Sequence, residues 1–223
     1  MKIFSEYFIF IIMAILSESI LLLFLCQNNY EYLFIDYTLC FFMLKCIRGD
    51  ILLKDIILKR RSVRKYKDKE VDREKLEELL MYASMGPSNG NSHPVEFIVV
   101  DDKERIEELS NMDSFATLYL KDAPVIVIVI ANTDICKTWV EEASLTAAYL
   151  QLLLEEEGLS SSWINVKEGN TAGKISYEEY FAENFGVKKP YKAQCLIPIG
   201  YKKSGTKDHE EFDISSKVHY NKF

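Results

Sequence analysis

A short run of cationic residues at positions 60–66 carries the strongest chemical signal in this chain. Its sequence is RRSVRKY, and the side chains able to grip an anion are Arg60, Arg61, Ser62 and Arg64. A guanidinium group binds phosphate through two hydrogen bonds, and a serine hydroxyl can add a third. The whole chain has a formal net charge of -7. Arginines clustered in an acidic protein favour an anion site, and the alternative is a solvated basic turn.

A loop rich in Gly, Pro, Ser and Asn follows at residues 86–94, directly before an apolar segment. Such residues are typical of turns. Their hydroxyl, amide and backbone groups would also suit a polar, planar ligand, and the candidates are Pro87, Ser88, Asn89 and Asn91. His93 in the same loop is a candidate proton donor, although a structural role is the interpretation that we favour.

A third candidate segment begins at 158–162, where four of the five residues are Gly or Ser, and continues through Ile164, Asn165 and Val166. Small side chains on a strand let a ligand or a helix approach the backbone closely. The segment alone leaves both interpretations open. Lys222, near the end of the chain, is a further cation that could join the anion site.

The composition argues against several other functions. An acidic chain does not suit a nucleic-acid partner, because a phosphate backbone selects a basic face. The 5 cysteines form no CxxC pair and the 3 histidines are scattered, so we expect neither a disulfide framework nor a metal site. No Ser-His-Asp or paired-carboxylate pattern is evident, and no GxGxxG follows a predicted strand. We therefore expect no side-chain nucleophile and no Rossmann-type nucleotide site.

The N-terminal part of the chain differs in composition from the rest, and we divide the chain into an extension, 1–50, and a domain, 51–223. The apolar run from Tyr7 to Cys26 is long enough to span a bilayer, but Glu18 lies near its middle. Three interpretations stay open for residues 1–47: a weak membrane anchor, an extra helical layer, or a stretch that is not made because translation starts near Leu52. The first predicts a membrane-associated protein and the last a cytoplasmic one.

The elements that must position these three segments alternate between helices and strands. Asp72 is the expected N-cap of a helix that stops at Gly86-Pro87, and the β-branched run from Pro124 to Ala131 predicts a strand buried on both faces. The other predicted helices are Ile51–Lys59, Asp102–Ser110, Trp139–Glu157 and Tyr177–Phe185. The other predicted strands are Val95–Val100, Leu159–Val166 and Gln194–Gly200, followed by a polar, extended tail from Lys202 to Phe223. We expect the Trp139–Glu157 helix to be largely buried, since apolar residues surround most of it.

Taken together, in this order and at these separations, the segments resemble the nitroreductase family of FMN proteins. The motifs that carry the resemblance are RRSVRKY, GPSNGNSHPVEFIVV, WVEEASLTAAYLQLLLEEEGLSSSWI, CLIPIGY and VHYNKF. The resemblance covers roughly residues 52–223 and implies an α+β fold, with a mostly antiparallel central sheet flanked by helices. It also implies an intertwined homodimer whose FMN sites are built from both subunits.

The resemblance assigns a role to each candidate residue. Arg60, Arg61, Ser62 and Arg64 would hold the FMN phosphate and ribityl chain, and Lys222 would reach the phosphate. Pro87, Ser88, Asn89 and Asn91 would come from the other subunit and line the ring and ribityl chain, while Ile164, Asn165 and Val166 would pass beside the ring. The chain departs from the usual family residues at His93, Val95, Ser160, Asn165 and Phe223, which affects the shape of the ring pocket.

The implied function is an FMN-dependent oxidoreductase that works by a ping-pong cycle. NAD(P)H would reduce the flavin, and a nitroaromatic, a quinone or a similar electron-poor molecule would then reoxidise it, with no catalytic side chain and no metal. The flavin performs the redox chemistry, and the protein binds, orients and tunes it. Two alternatives in the same fold stay open. One is a specialised flavin reaction, such as reductive dehalogenation or dehydrogenation, and the other is a non-catalytic flavin-binding protein.

Overall fold

The structure is a computed structural model, and it describes residues 52–113 and 117–223. The apolar N-terminal segment lies outside the described residues, so the predictions of an anchor, a helical layer or an unmade stretch are unchanged. Within the described part of the chain, no helix is both long and apolar enough to cross a membrane.

Helices and strands follow the predicted order. The helices are α1 Leu53–Lys59, α2 Arg73–Ala83, α3 Lys103–Ser110, α4 Trp139–Glu156 and α5 Tyr177–Phe185. The strands are β1 Val95–Val100, β2 Val125–Asn132, β3 Ser160–Ser161, β4 Ile164–Asn165 and β5 Tyr191–Gly200. Short 3-10 turns cover Asn89–Asn91, Leu118–Asp122 and Ser215–Lys217. Asp72 caps α2 as predicted, because its carboxylate accepts a hydrogen bond of 2.9 Å from the Lys75 N–H.

The strands form one antiparallel sheet in the order β1-β2-β5-β3, with β4 also paired to β5. The long central strands are in register at Val127 opposite Ile197 and Val129 opposite Cys195. Strand β5 begins at Tyr191, earlier than the predicted Gln194, because its first residues continue the pairing with the end of β2. The predicted α+β architecture with a mostly antiparallel sheet is confirmed.

Alternate residues of β2 face two separate apolar layers, as the pleat of a strand requires. Val125, Val127 and Val129 pack with α2 and α4, while Ile126, Ile128 and Ile130 pack with α3 and α5. Because helices cover both faces, the central strand has no polar side, and this explains its uninterrupted β-branched sequence.

The predicted single strand Leu159–Val166 is wrong in one respect, since it consists of the two short strands β3 and β4. Both keep the same register on β5, with Ser161 opposite Ile199 and Ile164 opposite Leu196. Ser162, between them, therefore lies opposite Pro198. Proline has no N–H to donate, so the ladder is interrupted at this pair.

Helix α4 is buried on one face, whereas the sequence predicts burial around most of it. Ala143, Ala147, Leu150 and Leu154 are fully buried against the sheet and α2. The opposite face keeps Leu145 and Tyr149 exposed by 42% and 43%. In a single chain the sheet and α2 cover only one side of this helix, and its other apolar side chains face outward.

The sequence predicts a polar, extended C-terminal tail, and the structure shows an exposed segment that contains the 3-10 turn Ser215–Lys217. Residues 207–223 are all exposed, and Phe212, Tyr220 and Phe223 are exposed by 71%, 84% and 105%. Three large aromatic side chains in open solvent are unusual for a segment that packs only on its own chain.

Candidate functional site

The cationic motif is fixed to the edge of the sheet beside β3. Ser62 forms a parallel bridge with Ser161, and the Val63 N–H donates a hydrogen bond of 2.9 Å to the Ser161 carbonyl. The buried Tyr66 hydroxyl donates to the carbonyls of Val63 at 2.6 Å and Pro198 at 3.1 Å. Burial raises the pKa of Tyr66, so this hydroxyl stays protonated and remains a donor. The motif is thus held by backbone and buried hydrogen bonds that involve none of its charged side chains.

The arginine side chains of this motif are open to a ligand. Among the described residues, no acidic side chain forms a salt bridge with Arg60, Arg61 or Arg64. The Arg64 guanidinium lies 5.6 Å from the centre of the Tyr119 ring, a cation–π distance. The Arg61 guanidinium lies 3.5 Å from the His209 ring nitrogen Nδ1. Arg61 and Arg64 thus contact ring side chains and form no salt bridge with any described residue, which suits an anionic ligand.

The carboxylate of Glu155 lies close to the motif and interacts electrostatically with cations around it. Burial raises the pKa of Glu155, while Lys202 and Arg60 act in the opposite direction. The Glu155 carboxylate lies 3.7 Å from the Lys202 ammonium. The cationic motif therefore lies at the C-terminal end of α4, close to Glu155.

The Asn-rich loop is fixed to the other end of α4. The Asn89 N–H donates a hydrogen bond of 2.8 Å to the Glu142 carboxylate, and the Asn89 side-chain amide lies 3.3 Å from the Thr138 hydroxyl. Glu142 is only 5% exposed, whereas Asn89 itself is exposed. The loop is therefore presented on the surface by a buried acidic side chain.

Two residues of this loop have left-handed backbone conformations. Asn91 has φ 58° and His93 has φ 43°. The ring nitrogen Nε2 of His93 lies 2.9 Å from the Asn91 side-chain oxygen, and the His93 N–H donates to the Ser88 hydroxyl at 3.0 Å. His93 thus makes the contacts expected of a structural loop residue. The Asn91 oxygen is already in contact with His93, which leaves its amide nitrogen and the surrounding exposed backbone for a ligand.

The third segment lies on β4 and just beyond it. Ile164 and Val166 are buried, whereas Asn165 is exposed. The Val166 N–H donates a hydrogen bond of 3.2 Å to the Gln194 carbonyl and is therefore engaged within the sheet. Asn165 is the member of this segment whose side chain can reach a ligand. Lys222 is also exposed, on the tail.

The cationic motif and the loop lie far apart in one chain. The motif is near Glu155 and the loop is bonded to Glu142, and these positions are separated by about 20 Å along the axis of α4, at 1.5 Å per residue. One chain therefore does not bring together all the residues that the sequence analysis assigned to one site.

Several residues that position the site escaped the sequence analysis. Glu142 supports the loop, Tyr119 lies under Arg64, and His209 lies beside Arg61. An acidic residue in the first turn of a helix is expected on dipole grounds alone, so Glu142 gave no separate signal. Tyr119 and His209 are distant in sequence from the arginines that they contact, and only the fold brings them together. No group of three or more metal-ligating side chains occurs among the residues that the structure describes.

Fold and site define a class of α+β proteins in which a cationic motif is bridged to the edge of an antiparallel sheet. Comparison with known proteins places the chain within this class. The sequence model of the nitroreductase family matches residues 57–118. The structure is similar to an FMN-dependent nitroreductase from Clostridium difficile R20291, with 39% identity and a TM-score of 0.71, over 75% of this chain and 98% of that protein.

Two curated relatives extend the comparison. A protein of Methanothermobacter thermautotrophicus, provisionally named NADH dehydrogenase/NAD(P)H nitroreductase, is 29% identical over 80% of this chain and 91% of its own length. The iodotyrosine deiodinase of Thermotoga neapolitana is 24% identical over 67% of this chain and 88% of its own length. The chain belongs to the nitroreductase family and is an oxidoreductase.

Proposed function

We propose that this protein is an FMN-dependent oxidoreductase that takes electrons from NADH or NADPH and passes them to a nitroaromatic, a quinone or a similar electron-poor acceptor. The observation that carries the proposal is a set of arginines at the sheet edge that form no salt bridge with any residue the structure describes, in a chain of net charge -7. An arginine cluster of this kind fits a phosphate monoester such as that of FMN. The relatives named for FMN and NAD(P)H support the same cofactor and donor.

Different residues of the chain would bind different parts of FMN. Arg60, Arg61 and Ser62 would hold the phosphate, and Arg64 would lie between the ribityl chain and the ring. Cations and N–H donors beside a flavin favour its anionic reduced form and so raise its potential. When bound, FMN supplies the hydride transfer from the nicotinamide to the acceptor. The protein then contributes binding, orientation and electrostatics.

We propose that the complete site is shared by two copies of the chain. The loop and the cationic motif lie at opposite ends of α4, so a two-fold axis that crosses two antiparallel α4 helices would bring the loop of one copy to the arginines of the other. Helices α2 and α4 pack against each other, and both α4 and the segment from α2 to Met85 carry exposed apolar side chains. Leu145, Tyr149, Met81 and Met85, exposed by 42%, 43%, 48% and 65%, would be covered in such a homodimer. The aromatic tail residues and Lys222 would reach the partner.

An absorbance spectrum of the purified protein tests the proposal. We expect a yellow protein that bleaches with NADH or NADPH in the absence of oxygen and recovers its colour when a nitroaromatic or a quinone is added. A protein that stays colourless after incubation with FMN would contradict the cofactor. A yellow protein that neither donor bleaches would contradict the proposed donor.

A second reaction in the same fold has one specific observation in its favour. The iodotyrosine deiodinase is similar to this chain over most of its own length, although at low identity. Reductive dehalogenation is therefore the alternative to compare directly. With the bleached protein, release of iodide from an iodinated phenol in preference to reduction of a nitroaromatic would favour the deiodinase-like reaction.

A further inference from the structure

Glu142, in the first turn of α4, is a buried carboxylate that accepts a hydrogen bond from a separate loop. It is 5% exposed and lies on the buried side of α4, facing the loop of residues 86–94. The Asn89 N–H donates to it at 2.8 Å, and the Cys136 thiol lies 3.8 Å from the same carboxylate oxygen. Burying a carboxylate costs free energy unless it is compensated, so its retention calls for a reason beyond packing.

The loop and the helix do not pack tightly against each other around Glu142. A small cavity separates them, and it is lined by Pro87, Ser88 and His93 from the loop, by Ser84 at the end of α2, and by Glu142 and Thr146 from α4. Most of the other hydrogen bonds of the loop are internal, for instance from the Asn91 N–H to the Ser88 carbonyl at 3.0 Å and from the His93 N–H to the Ser88 hydroxyl at 3.0 Å. The contact between Asn89 and Glu142 therefore links an internally bonded loop to a rigid helix across a gap.

We infer that Glu142 is a positioning residue. By accepting the hydrogen bond from the Asn89 N–H, it fixes the position and orientation of the loop, which would cover the flavin of the partner subunit. The inference rests on the proposed function, because it concerns the ring-lining loop of the same site. It adds a residue that would never touch FMN and would still set the affinity for it. The position of the loop would depend on how far the Glu142 side chain extends its acceptor oxygen towards Asn89, and not on the negative charge at the N-terminus of α4.

Two substitutions at position 142 distinguish the effect of side-chain length from the effect of negative charge. Glu142→Gln keeps an acceptor oxygen at the same reach and removes the charge, whereas Glu142→Asp keeps the charge near the first turn and withdraws the oxygen by one methylene. Glu141→Gln, at the exposed neighbouring position, is the matched control. Both variants at position 142 are conservative in size, so we expect them to fold.

The first measurement is hydrogen–deuterium exchange of the loop peptide in the FMN-free protein, which reports on the Asn89 amide directly. We expect Glu142→Asp to lose protection there, while Glu142→Gln and Glu141→Gln exchange like the parent. The second measurement is the FMN dissociation constant, which we expect to rise about tenfold for Glu142→Asp and to change by less than about threefold for Glu142→Gln.

The opposite pattern, with Glu142→Asp like the parent and Glu142→Gln impaired, would show that Glu142 acts as a helix-end charge and would overturn the inference. Unchanged exchange in both variants would overturn it as well, and so would lost protection in Glu142→Asp with unchanged FMN affinity. A parent protein that binds no FMN would instead overturn the proposed function, and the exchange result would still decide whether Glu142 holds the loop.

Discussion

At the scale of single residues, the arginines of the cationic motif should dominate retention of the cofactor. Replacing both Arg60 and Arg64 by Ala removes two charge-assisted donors, each contributing about 1.5–3 kcal/mol when paired with an anion. We expect the FMN dissociation constant to rise at least about hundredfold, since each 1.4 kcal/mol is a factor of ten. Fluorescence titration with FMN measures this.

The control for that substitution is Arg73→Ala. Arg73 is exposed and pairs with Asp101 at the start of α2, so its loss should leave FMN affinity unchanged. Equal retention of FMN by the double variant and by Arg73→Ala would show that the phosphate is bound elsewhere.

A second prediction at this scale concerns Tyr177, whose hydroxyl donates to the Asp113 carboxylate at 2.9 Å. Burial and this carboxylate raise the pKa of Tyr177 from 10.0 to about 12. A pKa raised on folding contributes stability that is complete below pH 10 and is lost as the pH rises from 10 to about 12. Denaturant unfolding across this range should show a steeper loss of stability for the parent than for Tyr177→Phe. If stability fell equally steeply with pH in the parent and in Tyr177→Phe, the raised pKa of Tyr177 would be contradicted. Tyr220→Phe, on the exposed tail, is the control.

At the scale of secondary-structure elements, the two faces of α4 should respond differently to the same change. Leu150 is fully buried against the sheet, whereas Leu145 on the same helix is 42% exposed. Leu150→Ala should lower the free energy of unfolding by about 2–5 kcal/mol through the lost contacts and the cavity. Leu145→Ala should instead raise the dimer dissociation constant, which sedimentation equilibrium measures, and leave the secondary structure intact.

If Leu145→Ala left the dimer dissociation constant unchanged, this face of α4 would not form the proposed dimer interface.

One strand prediction failed because of a contact between secondary-structure elements. The apolar pattern of Leu159–Val166 is continuous, but Pro198 on β5 interrupts the ladder opposite Ser162. A pattern within one strand carries no information on which residue of another strand lies opposite.

At the scale of the whole molecule, the tail is the clearest test of a shared site. Among the described contacts, residues 212–223 interact only with one another, as in the ring contact of His219 with Phe223 at 4.7 Å. A chain that ends at Glu211 should therefore keep its secondary structure. We expect it to dimerise more weakly and to bind FMN more weakly, because the aromatic side chains and Lys222 are lost together.

Lys222→Ala separates the two effects of that truncation. It removes one phosphate contact and leaves the aromatic residues in place, so FMN affinity should fall while the dimer dissociation constant stays the same. An unchanged dimer in the truncated chain would contradict the proposed role of the tail.

The sequence by itself determined the order of the elements, and it predicted the type of the site. Capping by Asp72, the β-branched strand β2 and the clustered arginines are local signals, and each depends on chemistry within a few residues. They were sufficient to predict alternating helices and strands and an anion site, while the antiparallel α+β fold was predicted only through the resemblance of the motifs to the family.

The tertiary structure alone decided which distant residues meet. Tyr119 under Arg64, His209 beside Arg61 and Glu142 beneath Asn89 join positions that are far apart in the chain, and no periodicity encodes such pairs. It also decided that the loop and the cationic motif lie at opposite ends of α4. The physical reason is that local signals fix the conformation of a segment, whereas its neighbours depend on how whole elements pack.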